Sequence, residues 1–203
     1  NLNALEATPQ HARHIQLQHP VLLNNHLAKF LTLNYRGFRS VVLDATFSEE
    51  ENLEEVIAKL CNEAEVAVKY GALVIVLSDR NINESRIPLP SLMALGAVHQ
   101  HLVRKALRAN SSIIVDAGDV RETHHFATLI GYGANAVCPY LSIATIEQLH
   151  QQGLLNKELS LEDALKNYSN AIGYGLRKIF SKMGISTYQS YQGAQIFEIL
   201  GLN

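Results

Sequence analysis

From Phe38 onward the chain alternates short apolar runs with longer stretches whose apolar residues recur every three or four positions. Ser40-Val41-Val42-Leu43-Asp44 is a short run of the buried-strand type. Ser48 and Glu51 form a capping-box pattern ahead of a helix. That helix carries Leu53, Val56, Ile57, Leu60, Ala64 and Val68 on one stripe and stops at Gly71. Ala72 to Leu77 reads as a second buried strand, and Ser91 as the cap of a helix running to about Ala109. Ser112 to Val115 is the third strand, and Asp119 caps a helix that ends at Gly131-Tyr132-Gly133. Ala134 to Val137 is a fourth, very short strand. Helices follow at Ser142–Gln152 and Ser160–Met183, the latter capped by Ser160 with Asp163. Ile185 to Tyr188 reads as extended and Gln195 to Leu200 as a last helical turn or two.

Strand followed by helix, four times over with short connections, predicts parallel strands with helical crossovers. A closed eight-fold barrel needs roughly 250 residues. The expected fold is therefore α/β: a partial (β/α) barrel or a small open parallel sheet. Val42, Ile75, Ile114 and Val137 should lie near the middles of adjacent buried strands. Residues 1–36 are polar and mixed, a lead-in segment with a short helix starting at Thr8-Pro9 and a second within Leu22–Leu33, interrupted at His19-Pro20. Residues 37–183 form the α/β domain, and residues 184–203 a linker segment.

Composition narrows the function. The 203 residues are 47% hydrophobic and 18% charged with a formal net charge of -2, a globular balance that favours neither nucleic acid nor an anionic membrane as partner. No apolar run approaches the roughly 20 residues that span a bilayer. The two cysteines, Cys61 and Cys138, sit in apolar stretches and read as buried thiols of a reducing compartment. The start at Asn1 and the end at Asn203 suggest a fragment of something longer.

In parallel sheets, chemistry gathers at the carboxyl ends of the strands. Here those ends bear Asp44 with Thr46, then Ser78-Asp79-Arg80, Asp116 with Gly118, and Cys138-Pro139-Tyr140. Capping and turn formation are the ordinary duties of such aspartates. The polar stretch from Ser78 to Pro90 is long for a strand-to-helix connection, which suits an interface or functional loop. Glu122 and His125 share a helix face but supply only two metal ligands, while His99 and His101 point to different faces, so no metal site is expected. Gly131-Tyr132-Gly133 ends a helix, where phosphate is repelled, and reads as a glycine stop. No Walker loop, nucleophile elbow or dinucleotide fingerprint is present.

Several ordered motifs carry a family resemblance. Leu77-Ser78-Asp79-Arg80 through Pro88-Leu89-Pro90, running into Leu95-Gly96-Ala97-Val98-His99, is similar to the central domain of glutamate synthases. So are His124-His125-Phe126-Ala127 with Gly131-Tyr132-Gly133-Ala134, and Pro139-Tyr140-Leu141. The most specific stretch is Ser181-Lys182-Met183-Gly184-Ile185-Ser186-Thr187, followed by Ser190-Tyr191 and Gly193-Ala194-Gln195-Ile196-Phe197-Glu198. The opening, Glu6-Ala7-Thr8-Pro9 to His19-Pro20-Val21-Leu22, also resembles that family, so the likeness covers essentially the whole chain.

The resemblance implies an oxidoreductase that makes two glutamates from glutamine, 2-oxoglutarate and a reductant. An amino-terminal cysteine hydrolyses glutamine, ammonia crosses an internal tunnel, and FMN with a 3Fe-4S cluster delivers electrons. It implies that this chain connects the glutaminase and FMN-binding domains of one polypeptide, supports the tunnel, and is inactive in isolation. No catalytic, cofactor-binding or metal residue carries over onto it, and no cofactor is expected in the fragment. The compartment implied is the cytoplasm, or the plastid stroma in a plant. Val98-His99-Gln100-His101 and Val137-Cys138-Pro139-Tyr140 look slightly more like the ferredoxin-dependent type than the NADPH type.

The interdomain interface is expected at Ser78, Asp79, Arg80, Asn83 and Arg86, and at Tyr188 and Tyr191. Both tyrosines should then be partly exposed, and the Ser78 loop mobile or held only by crystal neighbours or a self-association contact. Two other readings compete: a free-standing α/β module binding a small polar ligand, and a small barrel enzyme with its own FMN.

Overall fold

A computed structural model describes residues 15–33, 37–198 and 200–201. The expected helix at Thr8-Pro9 lies outside the described residues. The described chain opens with α1 (Asn24–Thr32), then β1 (Ser40–Asp44), a two-residue strand β2 (Thr46–Phe47) and α2 (Leu53–Lys69). Next come β3 (Val74–Ser78), the short β4 (Ile87–Pro88) and α3 (Ser91–Arg104), then β5 (Ser112–Asp116) and α4 (Thr123–Gly131). The chain continues through β6 (Ala136–Cys138), α5 (Tyr140–Gln151), the long α6 (Leu161–Lys182) and a single turn α7 (Tyr188–Tyr191).

Four strands form one parallel sheet in the order β1-β3-β5-β6, so this is the α/β fold that the strand–helix alternation predicts. Alternation along each strand divides the sheet into two faces. Leu43, Ile75, Leu77, Ile113, Val115 and Val137 face the core shared with α2, α3, α4 and α6. Val74, Val76, Ile114, Ala136 and Cys138 face a second, smaller core closed by Leu22, Leu27 and Ile143. Ile75, Ile114 and Val137 are buried, whereas Val42 is 49% exposed. Its strand is the sheet edge, so nothing among the described residues covers it from one side.

Three caps differ from those the sequence suggests. Ser48 and Glu51 close a turn, with the Ser48 amide donating to Glu51 Oε2 at 2.7 Å. α2 itself is capped by Asn52, whose Oδ1 accepts from the amides of Glu54 and Glu55 at 2.9 and 3.2 Å. Ser91 is the first residue of α3, not its cap, and its amide donates to Asp119 Oδ2 at 3.2 Å. Asp119 thus serves α3 from a distant loop, while α4 has Glu122 at its cap position without a side-chain bond. The Ser160–Asp163 pair caps α6 as read from sequence, with Ser160 Oγ accepting from the Asp163 amide at 3.1 Å. Gln195 to Leu200 holds no helix among its described residues, and Gln195 has a φ of 56°.

The segment after α6 packs back onto the domain. Tyr191 is fully buried and its ring stacks on Phe180 at 4.0 Å between centroids. Tyr188 is half-buried, and its hydroxyl reaches the carbonyls of Ala134 and Asn135 at 2.9 and 3.0 Å. The expected exposure of Tyr191 is therefore wrong. Its aromatic body satisfies this chain's own core, because Met183, Gly184 and Ile185 turn the chain back against α4 and α6.

Candidate functional site at the carboxyl end of the sheet

Asp44, Ser78, Asp116 and Cys138 stand side by side in register, each the last residue of its strand. The period of two puts them on the same face as Val42, Val76, Ile114 and Ala136. An apolar run ending in a polar residue, repeated in four strands, thus becomes a polar row across one sheet end.

Arg80, two residues beyond β3, folds back over that row. Its Nε donates to Asp116 Oδ2 at 2.7 Å and its Nη2 to Asp116 Oδ1 at 2.9 Å, a paired-fork contact. Nη2 also donates to Asn24 Oδ1 at 2.7 Å, and the guanidinium lies 4.4 Å from the centroid of the Tyr140 ring. Ser78 Oγ adds a third donor to Asp116 at 2.8 Å. Burial pushes the Cys138 thiol up to about 12, with Asp116 adding to the shift, so it stays protonated.

Asp79 is buried and accepts from the Gly118 amide at 3.1 Å. Burial raises its carboxyl above the ordinary range, against the lowering effect of that amide. The buried Tyr140 hydroxyl approaches Asp79 and Gly118 without reaching hydrogen-bond geometry. Burial also raises the Tyr140 phenol.

The loop from Asn81 to Pro88 is held by hydrogen bonds within this chain. Asn83 and Arg86 exchange backbone hydrogen bonds at 3.1 and 3.3 Å. Ile87–Pro88 pairs antiparallel with Thr46–Phe47. Arg86 Nε donates to Thr46 Oγ1 at 2.8 Å, and Asn81 Nδ2 to Asp44 Oδ2 at 3.1 Å. Asn81, Ile82, Asn83, Glu84 and Ser85 form an exposed tip.

These residues divide by role. Ser78, Asp79 and Arg80 are spent on Asp116, Gly118 and Asn24, and they order the sheet end. Asn83 and the Arg86 stem present the loop outward. Tyr188 and Tyr191 lie elsewhere, against α4 and α6, so the seven residues do not form one patch. Asn24 is the member that sequence reasoning missed, since it arrives from the lead-in with no motif around it. After β6, Pro139 follows directly, α5 begins at Tyr140, and the Tyr140 ring is covered by Arg80. Among the described residues, no three His, Cys, Asp or Glu side chains gather as a metal-binding group.

A second polar centre lies at the opposite sheet end. Arg108 donates from Nε to His99 Nδ1 at 3.0 Å, and from Nη2 to the Gly133 carbonyl at 2.7 Å and Asn135 Oδ1 at 2.9 Å. Burial lowers the pKa of His99, and the adjacent Arg108 charge adds to that, so a neutral ring accepts this bond.

The fold is that of part of a larger α/β barrel. A mutant flavocytochrome b2 with benzoylformate aligns over 70% of this chain and 36% of its own, with a TM-score of 0.52 and 13% identity. A mandelate oxidase with benzoyl-formic acid aligns over 76% and 38%, also at 0.52 and with 16% identity. The chain belongs to the glutamate synthase central domain family, which matches residues 1–203. The NADPH glutamate synthase large chain of Bacillus subtilis (strain 168) is 44% identical over 199 residues, covering 98% of this chain and 13% of its own length. The NADH glutamate synthase of Schizosaccharomyces pombe is 41% identical, covering 99% and 10%. The ferredoxin-dependent glutamate synthase 1 of Arabidopsis thaliana is 41% identical, covering 98% and 13%. This chain therefore spans about an eighth of the length of the curated relatives it matches, and their near-equal identities do not separate the electron donors.

Proposed function

We propose that this chain is the central connecting domain of a glutamate synthase large chain. It joins a glutaminase domain to an FMN-binding domain within one polypeptide and supports the path that ammonia follows between them. The whole protein makes two glutamates from glutamine, 2-oxoglutarate and a reductant, with FMN and a 3Fe-4S cluster held outside these residues. Residues 1–36 lead in, 37–183 form the domain, and 184–203 run toward the flavin domain. The compartment is the cytoplasm, or the plastid in a plant. The exposed loop tip around Asn83 and Arg86 faces a neighbouring domain, with Ser78, Asp79 and Arg80 as its rigid base.

The observation that carries this reading is the family match over all 203 residues at about an eighth of the relatives' length. Support comes from the strand ends, where Arg80, Ser78 and Asp116 bind one another and order the sheet end. One of the mandelate oxidase neighbours holds an FMN adduct, and it shares this fold at a TM-score of 0.50.

The test compares the full-length polypeptide with the 203-residue chain. The full-length protein should carry flavin absorbance and form glutamate from glutamine and 2-oxoglutarate. The 203-residue chain should be colourless and inactive. Flavin retained by the short chain through gel filtration would overturn the reading.

A further inference from the structure

The sheet has two ends that are treated differently. Beyond β6, residues Pro20 to Leu22 lie alongside as an extended segment: the Val137 amide donates to the Pro20 carbonyl and the Leu22 amide to the Val137 carbonyl, both at 2.8 Å. Beyond β1 there is no such segment among the described residues. The Ala45 amide donates to Ser78 and the Arg39 carbonyl accepts from Leu73, so odd-numbered residues of β1 bond toward β3. By the period of two, the backbone groups of Ser40, Val42 and Asp44 point to the open side.

The middle of that edge has no proline, lysine or bulge, and the sequence Ser40-Val41-Val42-Leu43-Asp44 is β-branched at its centre. Only its carboxyl end is guarded, where the charged Asp44 is bonded by Asn81 and Arg86 of the loop. Grooves flank it on both faces. One, of about 730 Å³, runs between Val41 and α2 beside Ala58, Val66 and Tyr70. The other, of about 430 Å³, lies between Val42 and α1 beside Ala28 and Leu31. Val42, Leu31, Val66 and Tyr70 are 49%, 42%, 52% and 75% exposed.

We infer that β1 takes an extended segment of the same polypeptide, from outside these 203 residues, as a parallel strand. This rests on the proposed role as a domain within a longer glutamate synthase chain. Val42 bonds its backbone as Val137 bonds Pro20 to Leu22. A strand seated there sends alternate side chains into the two grooves, so the segment is a short run apolar on both faces, like β3 and β5. Two observations favour it over a second copy. The relatives carry about seven-eighths of their length outside this domain. The flavoprotein barrels that share the fold surround each strand with a parallel neighbour on both sides, whereas a two-fold axis through this edge would pair β1 with its copy antiparallel.

The test uses the full-length polypeptide with benzoylphenylalanine at Val42 and, in a separate variant, at Asn83. Photolysis followed by peptide mapping should join position 42 to an apolar peptide outside the 203 residues. A position 42 that joins only residues of this domain, joins a second copy, or joins nothing overturns the inference. Position 83 reports on the parent reading: if it reaches another domain while position 42 does not, only the edge inference falls; if neither does, the connecting role falls too. Should the position 42 variant not fold, amide exchange in the unaltered full-length protein decides. The Val42 amide should exchange at least about 100-fold more slowly than a free amide, and free exchange rejects the strand.

Discussion

Asp116 is 2% exposed and its carboxylate takes three donors, two of them from Arg80. A buried charge that loses its partner is left with its desolvation cost. Arg80→Ala should therefore destabilise the chain by about 2 kcal/mol in urea unfolding, less than the roughly 3–5 kcal/mol of a fully buried pair because the Arg80 side chain is 40% exposed and water can enter. Arg80→Lys should recover part of this loss, keeping the charge without the fork. Glu65 makes a different argument. Bonds from Lys69 at 2.6 Å and His101 at 2.6 Å hold its carboxyl down to about 2 from an ordinary 4.5. The folded pKa lies below the unfolded one, so the stabilisation is present above about 4.5 and is lost as pH falls toward 2. The stability gap between the parent and Glu65→Gln should be widest near neutral pH and close over that window in a pH series of thermal melts. At this scale the sequence shows which residues stand at strand tips, since each closes an apolar run. It does not show that Asn24 reaches Arg80, because 56 residues separate them and only the packed fold brings them together.

The elements were legible where periodicity is strong and illegible where a distant group decides. β3, β5 and β6 follow directly from apolar runs, and α6 from its stripe and its Ser160 cap. The start of α3 does not, because its cap, Asp119, lies 28 residues away. Tyr188 and Tyr191 read as partly exposed by composition; Tyr188 is so, but α7 turns Tyr191 fully inward to stack on Phe180. Gly133 joins two elements and shows what their contact demands. It has a φ of 111°, and a Cβ there would sit 2.1 Å from His99 Nδ1, the atom that accepts from Arg108. The imidazole cannot swing aside without breaking that bond to a partly buried guanidinium. Gly153 has a φ of 67° and open space around it, so alanine there meets only the backbone preference. Gly133→Ala should cost about 3 kcal/mol or more and Gly153→Ala about 1 kcal/mol. Equal melting temperatures for the two variants would refute the coupling of α3, α4 and Arg108.

The molecule as a whole is a half-barrel with one face sealed by its own crossover helices and the other sealed by something else. In a closed barrel the inner face is filled by side chains from all the strands. With four strands there are no opposing ones, and Val74, Val76 and Ile114 would meet water. α1 and the residue before its cap take their place: Leu22 is fully buried and Leu27 is 4% exposed, both against that face. His19 and Gly173 complete the seat, the imidazole bonding Asn170 at 3.0 Å where a side chain at 173 would block it. The lead-in thus acts as a plug that allows half a barrel to stand. Cutting one buried leucine to alanine costs about 2–5 kcal/mol, and a domain has only about 5–15 kcal/mol in total. The double variant Leu22→Ala with Leu27→Ala should therefore bring the chain close to its unfolding threshold. It should melt far below the parent and bind an apolar fluorescent dye through the uncovered face, whereas Leu154→Ala, at a site 67% exposed, should change neither. A double variant that melts within a few degrees of the parent and leaves the dye dark would mean that the concave face does not depend on this plug.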